Sequence, residues 1–170
     1  AYLLLGKARY FDQRFVPALE AFNYILYKYP ASDKINQAKI WREKTNIRLE
    51  NEELAIKNLK RLLKQEVLED QDLADATSIL AQAYINTKSV DSAITKLEIA
   101  VNATKKNEEE GRYRFIQGQL YNTLGYKDSA VYAFDKVIKL NRKIPRIYLI
   151  SAEIEKIKNF DYENGNTIAL

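Results

Sequence analysis

Apolar residues recur every three or four positions along this 170-residue chain. This spacing places them on one side of a helix, which has 3.6 residues per turn. The chain contains only five glycines and three prolines. Pro17, Pro30 and Pro145 fall at or just beyond the expected ends of helices, where a missing N–H does no harm. The pattern therefore predicts an all-α chain.

Nine helices are expected, separated by short breaks. Their predicted ranges are 1–12, 15–28, 33–48, 51–65, 70–86, 90–103, 107–124, 127–140 and 144–158. Asn107, which three glutamates follow, is expected to cap the seventh helix because its side chain suits an N-cap and acids suit a first turn. The final stretch, NFDYENGNTIAL, has the composition of a turn and the beginning of another helix.

One sequence pattern occurs three times without a gap. The copies are LGKARYFDQRFVPALEAF at 5–22, LAQAYINTKSVDSAITKL at 80–97 and QGQLYNTLGYKDSAVYAF at 117–134. Each has a small residue, then an alanine, then a bulky apolar residue at the same places: Gly6, Ala18 and Phe22; Ala81, Ala93 and Leu97; Gly118, Ala130 and Phe134. A weaker copy supplies Ala55 and Leu59, so the alanines recur at intervals of 37 or 38 residues.

Internal repeats of this length indicate stacked helical hairpins. A small residue lets two helix backbones approach closely, which offsets the cost of about 1 kcal/mol for glycine in a helix. We expect each repeat's alanine to be buried against the small residue of its own hairpin, and the bulky residue to pack toward the next repeat. The weaker copy has Glu43 where the small residue belongs, so its hairpin is expected to be splayed.

The repeat resembles the tetratricopeptide repeat (TPR), which carries a Leu-Gly pair, a Tyr, an Ala, an aromatic residue and a Pro at set spacing. The matching residues are Leu5, Gly6, Ala18, Phe22 and Pro30 in the first unit, Leu80, Ala81, Tyr84, Ala93, Leu97 and Ala100 in the third, and Gly118, Tyr121, Ala130 and Phe134 in the fourth. The period exceeds the family's usual length. The resemblance implies a right-handed superhelix of stacked antiparallel hairpins, an α-solenoid of about nine helices.

On this reading residues 1–170 form a single repeat array. Its units are expected at about 1–30, 33–65, 70–104 and 107–141, with a partial unit at 144–170. Because the chain begins at Ala1 and contains no methionine, we interpret it as a fragment of a longer protein.

The resemblance also implies a site, because TPR proteins bind partner segments in a concave groove formed by the first helix of each unit. The corresponding candidates are Lys7, Tyr10, Phe11, Ile40, Lys44, Arg48, Ser78, Gln82, Ile85, Phe115, Gln119 and Asn122. Chaperone-binding relatives hold a terminal carboxylate with a Lys and an Asn, but Leu3 and Lys7 stand at those places here. A carboxylate clamp is therefore not expected. Trp41 is open to two interpretations, a core residue or a partner anchor.

A narrower resemblance covers residues 2–59, from YLLLGKARYF to ELAIKNL. This stretch is similar to the periplasmic TPR lipoproteins of the gliding-motility and type IX secretion apparatus, of the SprE/PorW type. Residues 15–32, FVPALEAFNYILYKYPAS, are similar to BamD-type outer-membrane assembly lipoproteins. The resemblance implies a periplasmic scaffold held at the outer membrane by a lipid anchor upstream. A generic peptide- or chaperone-binding adaptor, and a cytoplasmic location, stay open as alternatives.

Composition argues against catalysis. The chain has no histidine and no cysteine, which removes the commonest general base, thiol nucleophiles and thiolate metal sites. No phosphate-binding glycine loop is present, no apolar run is long enough to span a membrane, and no nucleic-acid-binding motif accompanies the basic residues. The sequence therefore predicts a non-catalytic scaffold with protein partners and no cofactor, metal or nucleic acid.

Charge is distributed unevenly. Basic residues outnumber acidic ones between 31 and 65, and acidic residues outnumber basic ones between 66 and 104. This asymmetry is open to two interpretations: ordinary surface charge, or two docking patches of opposite sign.

Overall fold

The computed structural model describes residues 1–159, and 82% of them are helical. Their nine α-helices are α1 (Tyr2–Phe11), α2 (Phe15–Lys28), α3 (Ile35–Arg48), α4 (Glu52–Gln65), α5 (Asp70–Asn86), α6 (Val90–Ala103), α7 (Asn107–Thr123), α8 (Lys127–Leu140) and α9 (Arg146–Lys158). A 3₁₀ turn at Asn141–Lys143 separates the last two. All nine predicted helices are confirmed, and no end differs from its predicted position by more than two residues. The predicted turn and helix start after Asn159 lie outside the described residues.

The chain divides into two compact units, residues 1–103 and 104–170. In the first unit, the hairpins α1–α2, α3–α4 and α5–α6 follow one another, with α2 packed on α3 and α4 on α5. The first helices of these hairpins also contact each other in order, α1 with α3 and α3 with α5. The second unit contains the α7–α8 hairpin, and α9 packs on both of its helices. That both units belong to one continuous array stays a prediction.

The four hairpin turns share one backbone conformation. Gln13, Glu50, Lys88 and Gly125 have φ values of 59°, 61°, 60° and 78°, and each is the second residue after its helix. The residue that follows donates its backbone N–H five residues back, as from Arg14 to Arg9 at 2.8 Å. This Schellman motif satisfies carbonyls at the helix end. Three of the four turns adopt this left-handed conformation without a glycine. The packing of the hairpin, rather than the residue type, therefore favours it.

The repeat alanines Ala18, Ala55, Ala93 and Ala130 are fully buried, which confirms the predicted register. The contact expected between each alanine and the small residue stays a prediction, but a Cβ added to Gly6 would first meet the ring of Phe22, and one added to Gly118 the ring of Phe134. A Cβ on Gly118 would lie 2.5 Å from Cε1 of Phe134. The glycine therefore makes room for an aromatic ring of its own hairpin.

Phe22 also contacts the next hairpin, as expected. Its ring centroid lies 6.2 Å from that of Trp41 on α3. The third repeat has the smaller Leu97 together with the larger Ala81, so the two positions vary in compensating directions.

Glu43 occupies the small-residue position of α3 and is 1% exposed. Its carboxylate accepts hydrogen bonds from Arg42 Nε at 2.6 Å, from Asn46 Nδ2 at 2.7 Å and from Asn58 Nδ2 on α4 at 3.1 Å. A buried carboxylate is tolerated only when it is paired and hydrogen-bonded, which this one is. A polar contact therefore joins α3 to α4 at the position where the other hairpins have a small residue. The splayed geometry expected for this hairpin stays a prediction.

The predicted cap at Asn107 was wrong. Lys106 occupies the N-cap of α7 and makes no side-chain cap hydrogen bond. The hydroxyl of Thr104 instead accepts the backbone N–H of Lys106 at 3.2 Å and donates to Glu109 at 2.7 Å. Helix α7 therefore begins at Asn107 itself, one position earlier than an Asn107 cap would place it, and the three glutamates lie in its first turn.

Candidate functional site

Aromatic and basic side chains gather where α1, the start of α2, and α3 meet. They are Lys7, Tyr10 and Phe11 from α1, Phe15 from α2, and Trp41, Lys44 and Arg48 from α3, and we call them the aromatic–basic cluster. Residues three or four positions apart share a helix face, which explains why each helix presents its members together. Five of the predicted groove residues are thus brought into one cluster.

Trp41 is the centre of this cluster. Its ring centroid lies 5.5 Å from that of Tyr10 and 5.8 Å from that of Phe11, both in edge-to-face geometry. Such pairs stabilise by about 0.5–1.5 kcal/mol beyond the area they bury. Trp41 is half-buried and contacts the core through Phe22, whereas Phe11 is 71% exposed. Trp41 is therefore in part a core residue, and its role as a partner anchor stays a prediction.

Three cations lie over these rings. Lys7 Nζ is 5.0 Å and Lys44 Nζ 4.5 Å from the Trp41 centroid, and the Arg48 guanidinium carbon is 5.0 Å from the Phe15 centroid. All three distances fall within the range of about 6 Å for cation–π attraction. Helix α1 contains no acidic residue, and the one in α3 is the buried Glu43. The face that these two helices present is therefore basic.

Tyr10 supports this arrangement. Burial raises the pKa of the Tyr10 phenol, and the nearby Arg48 guanidinium acts in the opposite direction. A phenol is neutral at physiological pH even with its ordinary pKa of 10.0, and this shift moves its ionisation still further from that range. Lys44 Nζ lies 5.3 Å from the Tyr10 centroid, so the ring serves as a neutral platform for a cation.

The prediction that Ile40 lines the groove was wrong. This residue is 1% exposed and packs with Leu59, Leu62 and Leu80 in the core of the first unit, so it is not available to a partner. It precedes Trp41 by one residue, and a step of about 100° around the helix turns it toward α4 and α5.

The α5 candidates lie outside the aromatic–basic cluster. Gln82 is exposed and donates to Asn86 at 2.8 Å, and Ser78 donates to the Asp75 carbonyl at 3.0 Å. Ile85 is half-buried. Asn86 in turn donates to Glu52 on α4 at 2.8 Å, which ties this end of α5 to the neighbouring hairpin.

The candidates of the second unit form a separate set. Phe115 packs against Phe134 and Tyr148, at centroid distances of 5.6 and 5.9 Å, so its ring belongs largely to the core. Gln119 is exposed. Asn122 donates to Glu155 at 3.5 Å, and its Oδ1 is buried without a hydrogen-bond partner among residues 1–159.

Two cluster members were not among the predicted groove residues. Trp41 had been left open, and Phe15 was missed because it begins a second helix. Three aromatic residues close together around one hairpin turn, Tyr10, Phe11 and Phe15, were the sequence signal that could have predicted it.

In the part of the chain that the structure describes, no group of acidic residues could hold a metal ion. No helix there is both long and apolar enough to cross a bilayer.

Solved structures of TPR proteins share this fold of stacked hairpins. The chain is similar to MamA, with a TM-score of 0.65 and 21% identity over 91% of this chain and 90% of that one. A thermophilic TPR protein of Thermus thermophilus is similar with a TM-score of 0.66 and 20% identity, over 93% of this chain and 84% of that one. A TPR protein of Parabacteroides merdae gives 0.68 and 16%, covering 95% of this chain and 63% of that chain. At these identities the likeness shows the fold alone. No family model and no curated protein matches the chain.

Proposed function

We propose that this chain is a non-catalytic protein-binding scaffold whose aromatic–basic cluster holds a segment of a partner protein. The observation that carries the proposal is the pair Lys7 and Lys44 over Trp41, with Phe11 exposed beside them. Aromatic residues and arginine dominate binding hot spots. Aromatic rings bury a large area at little cost in side-chain entropy, and arginine adds a planar group that donates several hydrogen bonds.

The cluster favours a partner segment that combines acidic and apolar side chains. Exposed charge pairs contribute only about 0–1 kcal/mol each, so contacts with Phe11 and Trp41 supply most of the affinity. Carboxylates near Lys7, Lys44 and Arg48 fix the register and speed association.

The setting we propose is a periplasmic scaffold of a protein-secretion or gliding-motility machine, held at the outer membrane by a lipid anchor upstream. Its support is the resemblance described above, in which residues 2–59 look like lipoproteins of that apparatus. A BamD-like assembly factor and a generic peptide- or chaperone-binding adaptor are the alternatives. Fractionation of cells that express the full-length protein tests the location, and its co-purifying proteins distinguish the three roles.

A paired substitution tests the binding surface. The variant Phe11→Ser with Lys7→Gln removes one exposed ring and one cation from the cluster. The control Tyr27→Ser with Lys28→Gln likewise removes one exposed ring and one cation, here from α2. Partners that co-purify from native membranes should be depleted by the first variant and retained by the second. Equal recovery with both variants would overturn the assignment of the surface.

A further inference from the structure

Helix α4 presents a row of cations that the aromatic–basic cluster does not use. Lys57, Lys60, Arg61 and Lys64 are all exposed, and we call them the basic stripe. At 100° per residue they occupy an arc of about 100° and extend about 10 Å along the helix axis. The buried residues Ala55, Leu59 and Leu62 lie on the opposite side.

The stripe has little internal compensation. Within residues 1–159, none of its four side chains makes a hydrogen bond or an ion pair. Glu66, the acid just beyond the helix, pairs with Lys39 of α3 at 3.0 Å instead. The exposed Glu53, at the beginning of α4, is the one acid on the same arc.

The spacing makes these charges repel one another. Lys57 and Arg61, like Lys60 and Lys64, are four residues apart, and like charges at this separation destabilise a helix. The arrangement therefore opposes folding slightly, and an anionic surface outside the unit would relieve the repulsion.

We propose that the basic stripe rests on the anionic surface of a lipid bilayer. No residue of α4 is aromatic, so the stripe lacks the anchor around which protein interfaces concentrate their binding energy. Long, unbonded cationic side chains on one straight helix face match a plane of headgroups. Leu54, exposed in the first turn of α4, lies beside this arc and adds an apolar contact at the same surface.

The expected attachment is reversible and sensitive to salt. Each cation close to an anionic leaflet strengthens partitioning by about fivefold. Salt screens this attraction, and such binding holds a protein stably only together with a second attachment. The stripe thus orients the unit on a membrane rather than anchoring it alone.

Cosedimentation of the purified chain with vesicles tests the proposal. Phosphatidylcholine vesicles with about 30% phosphatidylglycerol should bind the chain, those of phosphatidylcholine alone should not, and about 500 mM salt should release it. The variant Lys57→Gln, Lys60→Gln, Arg61→Gln and Lys64→Gln should lower partitioning by about 100-fold or more. The control Lys127→Gln, Lys139→Gln, Arg142→Gln and Lys143→Gln removes the same charge from exposed positions of the second unit and should lower it far less.

Three outcomes would overturn the proposal. Equal losses in the two variants would mean that net charge, not the stripe, governs binding. Equal binding to neutral and anionic vesicles would exclude headgroup charge as the cause. Stripe-dependent binding to soluble poly-glutamate without binding to anionic vesicles would identify an acidic protein as the partner instead. Circular dichroism of both variants confirms that each is folded.

Discussion

At the scale of single residues, three of the four hairpins have complementary side-chain volumes at two positions. Gly6 and Gly118 face phenylalanine rings, whereas Ala81 belongs to the repeat that carries Leu97. Packed interiors tolerate neither an added methyl group nor a missing one without cost. The loss of helix stability caused by a glycine is therefore offset where a Cβ would overlap an aromatic ring.

Replacing Gly118 by Ala should lower stability by about 1–2 kcal/mol, because overpacking against Phe134 outweighs the better helix propensity of alanine. Adding Phe134→Leu should recover part of this loss, since the pair then matches the third repeat. Urea unfolding of both single variants and the double variant measures the coupling, expected at about 0.5–3 kcal/mol. Strictly additive effects would show that the two side chains do not compete for space.

A second residue-scale prediction concerns Asp72. Burial, followed by the charges of Asp75 and Glu69, raises its pKa above the ordinary value of 3.8. A carboxyl with a raised folded-state pKa stabilises the protein below its unfolded-state pKa and loses that contribution as pH rises. Asp72→Asn should therefore increase the urea midpoint at neutral pH, and the gain should shrink as pH falls toward 3.8. A gain that grew on acidification would contradict this cause.

At the scale of elements, the hairpin turn is the unit that repeats most strictly. A left-handed residue ends the first helix of all four hairpins, although only Gly125 is a glycine. Because a left-handed backbone costs an L-residue about 1–2 kcal/mol, helix packing and the Schellman hydrogen bonds must hold the other three turns in place.

Gly125→Ala should destabilise the second unit by about 1 kcal/mol through backbone strain alone, since nothing lies within 4 Å of the added Cβ. Asparagine tolerates this conformation better, so Gly125→Asn should cost less. Lys88→Gly makes the reverse change in the first unit and should not destabilise it. Thermal unfolding distinguishes these outcomes, and equal losses from Ala and Asn would argue against strain.

At the scale of the whole molecule, each unit has its own hydrophobic core. Ile40, Leu59 and Leu80 anchor one cluster of the first unit, while Phe134 and Ala152 belong to a cluster of the second. Repeat proteins owe their stability to each repeat and its neighbours, so three stacked hairpins suffice for a folded unit.

Residues 1–103 expressed alone should therefore fold. We expect a helical far-ultraviolet spectrum and a cooperative urea transition, because the three hairpins of this fragment retain their mutual contacts. A fragment that unfolds without a cooperative transition would show that the first unit depends on the rest of the chain.

The sequence by itself determined the helices, the repeat and the burial of its alanines. Helix periodicity and the spacing of small residues are local signals, so Ala18, Ala93 and Ala130 could be assigned without coordinates. Tertiary structure decided what lies across each contact. It placed the ring of Phe22 where a Cβ on Gly6 would be, buried Ile40 in the core, and brought Lys7 and Lys44 to Trp41. Periodicity assigns a residue to a side of its own helix, but the position of the neighbouring helix decides which side chain fills the space between them.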